Sequence, residues 1–353
     1  MYTRQMQEEE RYLSIARDIL DNGVVKGDRT GTGTASTFGQ MMRFDIRDNT
    51  LPLLTTKRMY HRSFIHETLW FLSGSTDIEY LKTHGISIWD SWVNPASARY
   101  GADGELTGGS IGPGAYGAMW RNIEDVRIVP VVESESYQQK GFIVRGTLDR
   151  GAVPTCVVER KIDQIQNVIN QLKENPDSRR IILHAFDNRM TDFCALPPCH
   201  SFVQFWTREL SITERTVLLD KRYTEPAGTT LTHDYFDTLG IPKRALSCML
   251  FARSQDFLVG TAFNCPQYAF LTMLIAQVCG MVTDEFVWVG GDTHIYQNQL
   301  ELAQEQLGRD ILENTVQVKL NPDIQDINDF KFEDVEVVGY DNYHPAIKYP
   351  VAI

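Results

Sequence analysis

The densest chemistry in this chain lies at "LPPCH", residues 196–200, where Cys199 follows two prolines and directly precedes a histidine. Pro197 and Pro198 fix their own backbone and cannot sit inside a central strand. Residues 201–206, "SFVQFW", then alternate and are rich in aromatics, as a strand is. Cys199 is therefore expected on a stiff turn at a strand start, a good place to hold a nucleophilic sulfur still. A buried cysteine packed as a small hydrophobe is the plainer alternative. Glu67 is the second such group. It sits in "HRSFIHETLWFLS", residues 61–73, whose apolar side chains lie nearly all round a predicted core helix. A carboxylate there is costly unless hydrogen-bonded or protonated, which makes it a candidate acid–base residue. Arg179 and Arg180 in "ENPDSRR" and His294 in "GGDTHIY" are weaker signals, since such an arginine pair is more often solvated than an anion clamp and a satisfied buried histidine explains His294 equally well.

These groups need elements to position them. Residues 7–22 read as an opening helix, followed by the Gly/Thr-rich loop "NGVVKGDRTGTGTAST" and a strand. A helix over 161–173 places Ile162, Ile165, Val168, Ile169 and Leu172 on one face. "ENPDSRR" ends it before the strand "IILHAF". Strands are expected near 246–251 and 286–289, and a buried helix over 268–281. Strands and helices mix without a strict βαβ rhythm, which predicts an α+β fold. The expectation is a single catalytic domain, residues 1–353, with a mixed, largely antiparallel sheet packed with helices. Two polar regions, about 123–157 and 208–244, read as insertions, either ordered hairpins or flexible excursions.

Composition narrows the function. The formal net charge of −12 leaves no basic excess for a nucleic-acid polymer. It still permits a small anion gripped by a few arginines. The first residues lack the apolar core of a signal peptide, and the apolar stretch 268–281 is too short to span a bilayer, so a soluble, cytoplasmic protein is expected. The cysteines at 156, 194, 199, 248, 265 and 279 form no CxxC pair and no zinc spacing, so neither a metal nor a disulfide framework is expected and Cys199 reads as a free thiol. "GTGTAST" lacks the third glycine of a dinucleotide fingerprint and the Lys-Ser/Thr of a P-loop. "IHETLW" lacks the second histidine of a zinc-protease helix.

The strings "DRTGTGT", "IWDSW", "YGAMWR", "DSRR", "LPPCH", "RSQD", "GGDTHIY" and the final "PVAI" occur in this order. Together they resemble the thymidylate synthase family, from about residue 12 to residue 353 apart from the two insertions. The resemblance implies dUMP as substrate and 5,10-methylenetetrahydrofolate as donor of both carbon and hydride, with no metal. Cys199 carries over as the nucleophile that adds to C6 of uracil, with Arg253 beside it favouring the thiolate. Glu67 carries over as the proton-moving residue and Tyr116 as the active-site tyrosine. Arg29, Arg253 and Ser254 match phosphate ligands. Arg179 and Arg180 do too, but from the neighbouring subunit, which implies a homodimer with shared sites. Asn264 matches the residue that reads uracil, while His294 and Tyr296 match partners of the deoxyribose hydroxyl. Trp89, Trp92, Leu196, Asp256 and the C-terminal Ala352 fall on the folate side.

The chain also departs from the family pattern. Phe251 and Ala252 stand where Tyr-Gln is usual, which is expected to remove a hydroxyl and an amide from the cavity. Thr261 and Ala262 replace a Leu-Pro pair, Cys265, Pro266 and Gln267 follow Asn264 unusually, and one extra residue lies between Pro113 and Tyr116. A hydroxymethylase that delivers water instead of hydride, making 5-hydroxymethyl-dUMP, is therefore the alternative enzyme. A non-catalytic nucleotide- or RNA-binding protein on the same scaffold is the alternative of another class.

Overall fold

The computed structural model describes residues 3–148, 153–221 and 230–352. Its centre is a six-stranded sheet of β1 (Val24–Lys26), β2 (Thr34–Asp45), β3 (Ile182–His184), β4 (His200–Glu209), β5 (Arg244–Asp256) and β6 (Val282–Tyr296). The spatial order is β1-β2-β6-β5-β4-β3. All neighbours run antiparallel except β5 and β6, which are parallel at the middle of the sheet.

The register decides which side of the sheet is core. Val203, Leu250, Trp288 and Met42 lie in one cross-strand row, and Phe205, Cys248, Phe286 and Phe44 in another. All eight are buried. On the opposite face a row of Phe202, Phe251, Val289 and Met41 alternates with them, and Trp206, at 59% exposure, follows farther along β4. Among the described residues, helices cover the first face. They are α1 (Arg4–Asn22), α2 (His61–Leu72), α3 (Tyr116–Arg121), α4 (Gln164–Glu174) and α5 (Ala262–Val278). Thr3 caps α1 by accepting from the Met6 amide at 3.3 Å, and Asp163 caps α4 by accepting from Gln166 N at 2.9 Å.

Three expectations shift. The helix expected from 161 begins at Gln164, because a strand continues to Ile162 and Asp163 supplies the cap. The buried helix expected from 268 begins at Ala262 and carries Pro266 near its start, where the missing N–H and the ring are tolerated. With the π-helical turn Phe257–Thr261 before it, this apolar run reaches 22 residues. That is long enough to cross a membrane by length and composition, contrary to the shorter stretch read from sequence. Here 83% of its most apolar window is buried inside the protein, as befits a core helix.

The two inserted regions are built locally. Strands Ile123–Pro130, Ile143–Leu148 and Thr155–Ile162 form an antiparallel sheet with the last strand central, closed over Val129, Phe142, Cys156 and Val158. Residues 149–152 of this region lie outside the described residues. In the second region, helices Ile212–Asp220 and His233–Thr238 close over Leu219, Phe236 and Ile241. The buried Arg215 ties them together by donating to Asp237 Oδ1 at 2.7 Å and to the carbonyl of Ile241 at 2.7 Å. Residues 222–229 lie outside the described residues.

Candidate active site

Cys199 sits where the Pro-Pro turn delivers the chain to β4. Four hydrogen bonds fix that turn. The Cys199 amide donates to the Tyr116 hydroxyl at 2.8 Å, and the Arg253 amide donates to the Cys199 carbonyl at 2.8 Å. The Arg253 guanidinium in turn donates to the carbonyls of Pro198 at 2.9 Å and Pro197 at 2.7 Å. The same guanidinium comes within 3.7 Å of Cys199 Sγ. Gly291 on β6 allows this arrangement, since a Cβ there would stand 2.7 Å from the Arg253 carbonyl oxygen. Arg253 favours the thiolate, but burial acts against it. Burial pushes the Cys199 thiol above its ordinary value, and the pull of Arg253 in the opposite direction is the smaller effect.

His200 and Tyr116 form the floor beside the sulfur. Their rings stack at 3.9 Å, and His200 Nδ1 lies 2.5 Å from the Tyr268 hydroxyl. Burial lowers the His200 pKa to about 3, so the ring is neutral and serves as a spacer and hydrogen-bond partner. Tyr116 is buried and stays protonated far above its ordinary range for the same reason.

Glu67 lies on α2 with both carboxyl oxygens engaged by protein donors. Trp89 Nε1 donates to Oε1 at 2.6 Å and Gln267 Nε2 donates to Oε2 at 2.8 Å. Burial raises its pKa from 4.5 to about 7, partly opposed by these two donors. The chain of amides continues from Gln267. Asn264 Nδ2 donates to Gln267 Oε1 at 3.0 Å, and Gln255 Nε2 donates to Asn264 Oδ1 at 2.6 Å. Gln267 and Gln255 were not singled out as site residues from sequence. The available signal was the spacing of Gln267 three residues after Asn264, one helical turn along the same face.

The parallel pair β5/β6 brings the polar residues of "RSQD" beside those of "GGDTHIY". Ser254 pairs with Asp292, and Asp256 with His294. His294 Nδ1 lies 3.1 Å from Asp292 Oδ1, which also accepts from the Ser36 hydroxyl at 2.7 Å. Tyr296 meets the His294 ring edge-on at 5.1 Å. Asp256 accepts from the Val259 amide at 3.2 Å and from Gln299 Nε2 at 2.9 Å, and burial raises its pKa. Gln299 Nε2 also reaches the Pro350 carbonyl at 2.9 Å, which ties the C-terminal segment to the same point. Ala352 follows two residues on, half-buried. Lys57, also buried, has its pKa lowered by burial to about 7 and lies 4.9 Å over the Tyr349 ring.

Arg29 emerges from a loop wound around Asp28, whose carboxylate accepts from the Gly33 amide at 2.8 Å and the Thr30 hydroxyl at 2.5 Å. Gly31 and Gly33 take φ of 74° and 80°, which this winding requires. The Arg29 guanidinium stands 5.9 Å from the Trp92 ring, and Trp92 and Leu196 are half-buried against the core. Arg179 and Arg180 are exposed just before the edge strand β3. Their backbone is held by Gln204 Nε2, which donates to the Arg179 carbonyl at 3.3 Å. Among the described residues, neither guanidinium hydrogen-bonds to the groups around Cys199.

Two replaced positions part company. Ala252 is fully buried on the core side, but Phe251 is 38% exposed on the outer face of the sheet. A tyrosine at 251 would put its hydroxyl outside, so only the amide at 252 is lost from the interior. Among the described residues, no group of three or more His, Cys, Asp or Glu side chains is placed to hold a metal ion.

The turn at Cys199, the buried Glu67 and the β5/β6 ends thus form one polar region set into an apolar core, with the C-terminal segment against it. The family model described as thymidylate synthase matches residues 10–353, from α1 through to the C-terminal residue, and the chain belongs to that family.

Proposed function

We propose that this one-carbon-transferring enzyme methylates dUMP reductively to dTMP, with 5,10-methylenetetrahydrofolate as cosubstrate. In this reading Cys199 Sγ bonds to C6 of uracil as its thiol proton passes to water, and the C5–C6 π pair shifts toward O4 to leave an enolate. The contact with Arg253 offers positive charge to the sulfur at that moment. Asn264 has one N–H and one lone pair beyond those its neighbours use, which match O4 and N3–H of uracil. Arg29, Arg253 and Ser254 take the phosphate, His294 and Tyr296 the deoxyribose hydroxyl.

The residues present suit a folate. Asp256 is an acceptor for pterin N–H groups, Trp89 and Trp92 offer flat apolar faces, and Leu196 and the segment ending in Ala352 add cover. When bound, methylenetetrahydrofolate supplies the carbon and the hydride, and the chain's task is to orient it and exclude water. One observation supports hydride over water at the last step. The Pro350 carbonyl is tied through Gln299 to Asp256, so the C-terminal segment lies against the folate side, where it can shut out water. The buried Ala252, which gives the interior no hydrogen-bonding group, favours the hydroxymethylase reading instead.

A homodimer completes the site in this proposal. The outer sheet face carries the exposed Trp206, Phe251 and Met41, an apolar row fit for a second copy. Arg179 and Arg180 stand at its rim, ready to cross into a partner's phosphate site. The deciding experiment incubates the protein with dUMP and methylenetetrahydrofolate, identifies the nucleotide by mass and follows dihydrofolate by absorbance. dTMP with equimolar dihydrofolate is expected. 5-Hydroxymethyl-dUMP without dihydrofolate overturns the methylation reading.

A further inference from the structure

Four buried side chains hand donors along in one direction. Gln255 Nε2 donates to Asn264 Oδ1, Asn264 Nδ2 to Gln267 Oε1, and Gln267 Nε2 to Glu67 Oε2, at 2.6, 3.0 and 2.8 Å. Gln255, Asn264 and Gln267 are 4%, 8% and 1% exposed. This direction is the one an ionised Glu67 demands, because a carboxylate only accepts. A protonated Glu67 would donate from Oε2 toward Gln267. An amide can answer by turning over half a rotation, which exchanges its donor and acceptor ends within nearly the same volume. Gln267 would then donate to Asn264, and Asn264 to Gln255.

The far end of the chain does not lock either direction. Gln255 Oε1 is buried and has no hydrogen-bond partner among the described residues. In the reversed direction that oxygen accepts from Asn264 and the Gln255 nitrogen becomes the group left over. The sense of the whole row is therefore set at Glu67.

We propose that Gln267 is a positioning residue that couples the protonation of Glu67 to the donor–acceptor sense of Asn264, so that the ionised site reads uracil and the protonated site reads cytosine. This rests on the uracil reading of Asn264 given above. With Glu67 ionised, Asn264 offers N–H toward O4 and a lone pair toward N3–H. With Glu67 protonated, it offers a lone pair toward the 4-amino group of cytosine and N–H toward its bare N3. One buried proton thereby chooses between two bases of the same shape.

The other titratable groups around Glu67 hold their state over the working range. Tyr116 from α3 and Tyr268 from α5 face it, and burial keeps both protonated. Cys199 and His200, which adjoin Tyr116, are held as thiol and neutral ring. His66, next to Glu67 on α2, is turned instead to the Tyr80 hydroxyl and the Phe332 ring.

The test is calorimetric binding of dUMP and dCMP to the intact protein, without folate, from pH 6 to 8.5. The ratio of the two Kd values cancels the phosphate titration, which both nucleotides share. The preference for dUMP over dCMP is expected to rise by about tenfold or more across this range, as for one re-sensed bidentate base contact. Gln267→Met, close in volume but unable to relay, should leave a ratio that no longer changes with pH. A flat ratio in the unaltered protein, with dUMP still binding, overturns the relay and leaves the dUMP assignment standing. An unchanged slope in a folded Gln267→Met protein also overturns it. If neither nucleotide binds at any pH, the relay and the dUMP assignment fall together.

Discussion

Replacing Trp89 with Phe isolates what one hydrogen bond does for Glu67. The ring is buried among Trp70, Phe71 and Tyr116, and Phe keeps most of that packing while removing the indole N–H. The lost bond is short, 2.6 Å, and goes to a buried carboxyl group. Hydrogen bonds to charged groups contribute about 1.5–3 kcal/mol. The protonated carboxyl still accepts this bond at about 1 kcal/mol, so the ionised form loses an excess of roughly 0.5–2 kcal/mol, and at 1.36 kcal/mol per pH unit the Glu67 pKa should rise by roughly 0.4–1.5 from its value of about 7. The sign for stability follows. Glu67 is already raised from 4.5 to about 7, so stability is fullest below 4.5 and falls as pH rises, by about 3 kcal/mol once both states are ionised. Trp89→Phe should extend that loss upward in pH. Its cost at pH 5, where Glu67 is protonated in the folded protein, is the packing change and a neutral hydrogen bond. At pH 9 the ionic excess of that bond is added. Carbon NMR of the Glu67 carboxyl and urea unfolding at the two pH values measure both. A Glu67 midpoint that moves by less than about 0.3, or a cost equal at pH 5 and pH 9, would refute the assignment of this bond as an ionic one.

Cys199→Ala should reduce turnover below detection while changing the Kd for dUMP less than about threefold, since the sulfur forms its bond after binding; isothermal calorimetry beside an activity assay checks this, and weakened binding as the sole effect would end the nucleophile role. Mixing Arg179→Ala with Cys199→Ala protein should restore up to about a quarter of the activity through hybrid dimers with one intact site; no recovery after demonstrated subunit exchange would count against shared arginines. Glu9→Ala should cost about 3–5 kcal/mol, because the buried carboxylate accepts from both amides and both hydroxyls of Thr55 and Thr56 and its loss leaves these four donors without an acceptor. Urea unfolding reads that cost directly, and a loss under 1 kcal/mol would mean those groups find other partners.

What could be read in the sequence was what local signals encode. Pro197, Pro198 and the alternation after Cys199 place that residue at a strand start, and the all-round apolar surface of 61–73 makes Glu67 stand out. Direction and register are not local. Nothing near 246–251 tells that β5 runs parallel to β6, which is what sets Asp256 beside His294. Phe251 faces outward because the bulge and pairing of β4 and β5 put it there. The contest at Cys199 between burial and Arg253 depends on how much of the thiol is covered, which packing alone determines. Gln267 was missed because the helix was expected to start after Pro266. The structure starts it at Ala262, so Asn264 and Gln267 share a turn.

The placement of β6 between β2 and β5 has a consequence for how activity arises during folding. The contacts that assemble the site join residues far apart in the chain: Glu67 with Gln267, Ser36 with Asp292, Cys199 with Arg253. A chain lacking its last quarter has no strand between β2 and β5, and neither Gln267 for Glu67 nor Asp292 for Ser36, so only the Cys199–Arg253 contact can form. Such long loop closures are slow and come late. Recovery of nucleotide binding on refolding should therefore follow the slowest phase and lag the return of helix signal. A newly made chain stays chemically silent until β6 has found the centre of the sheet.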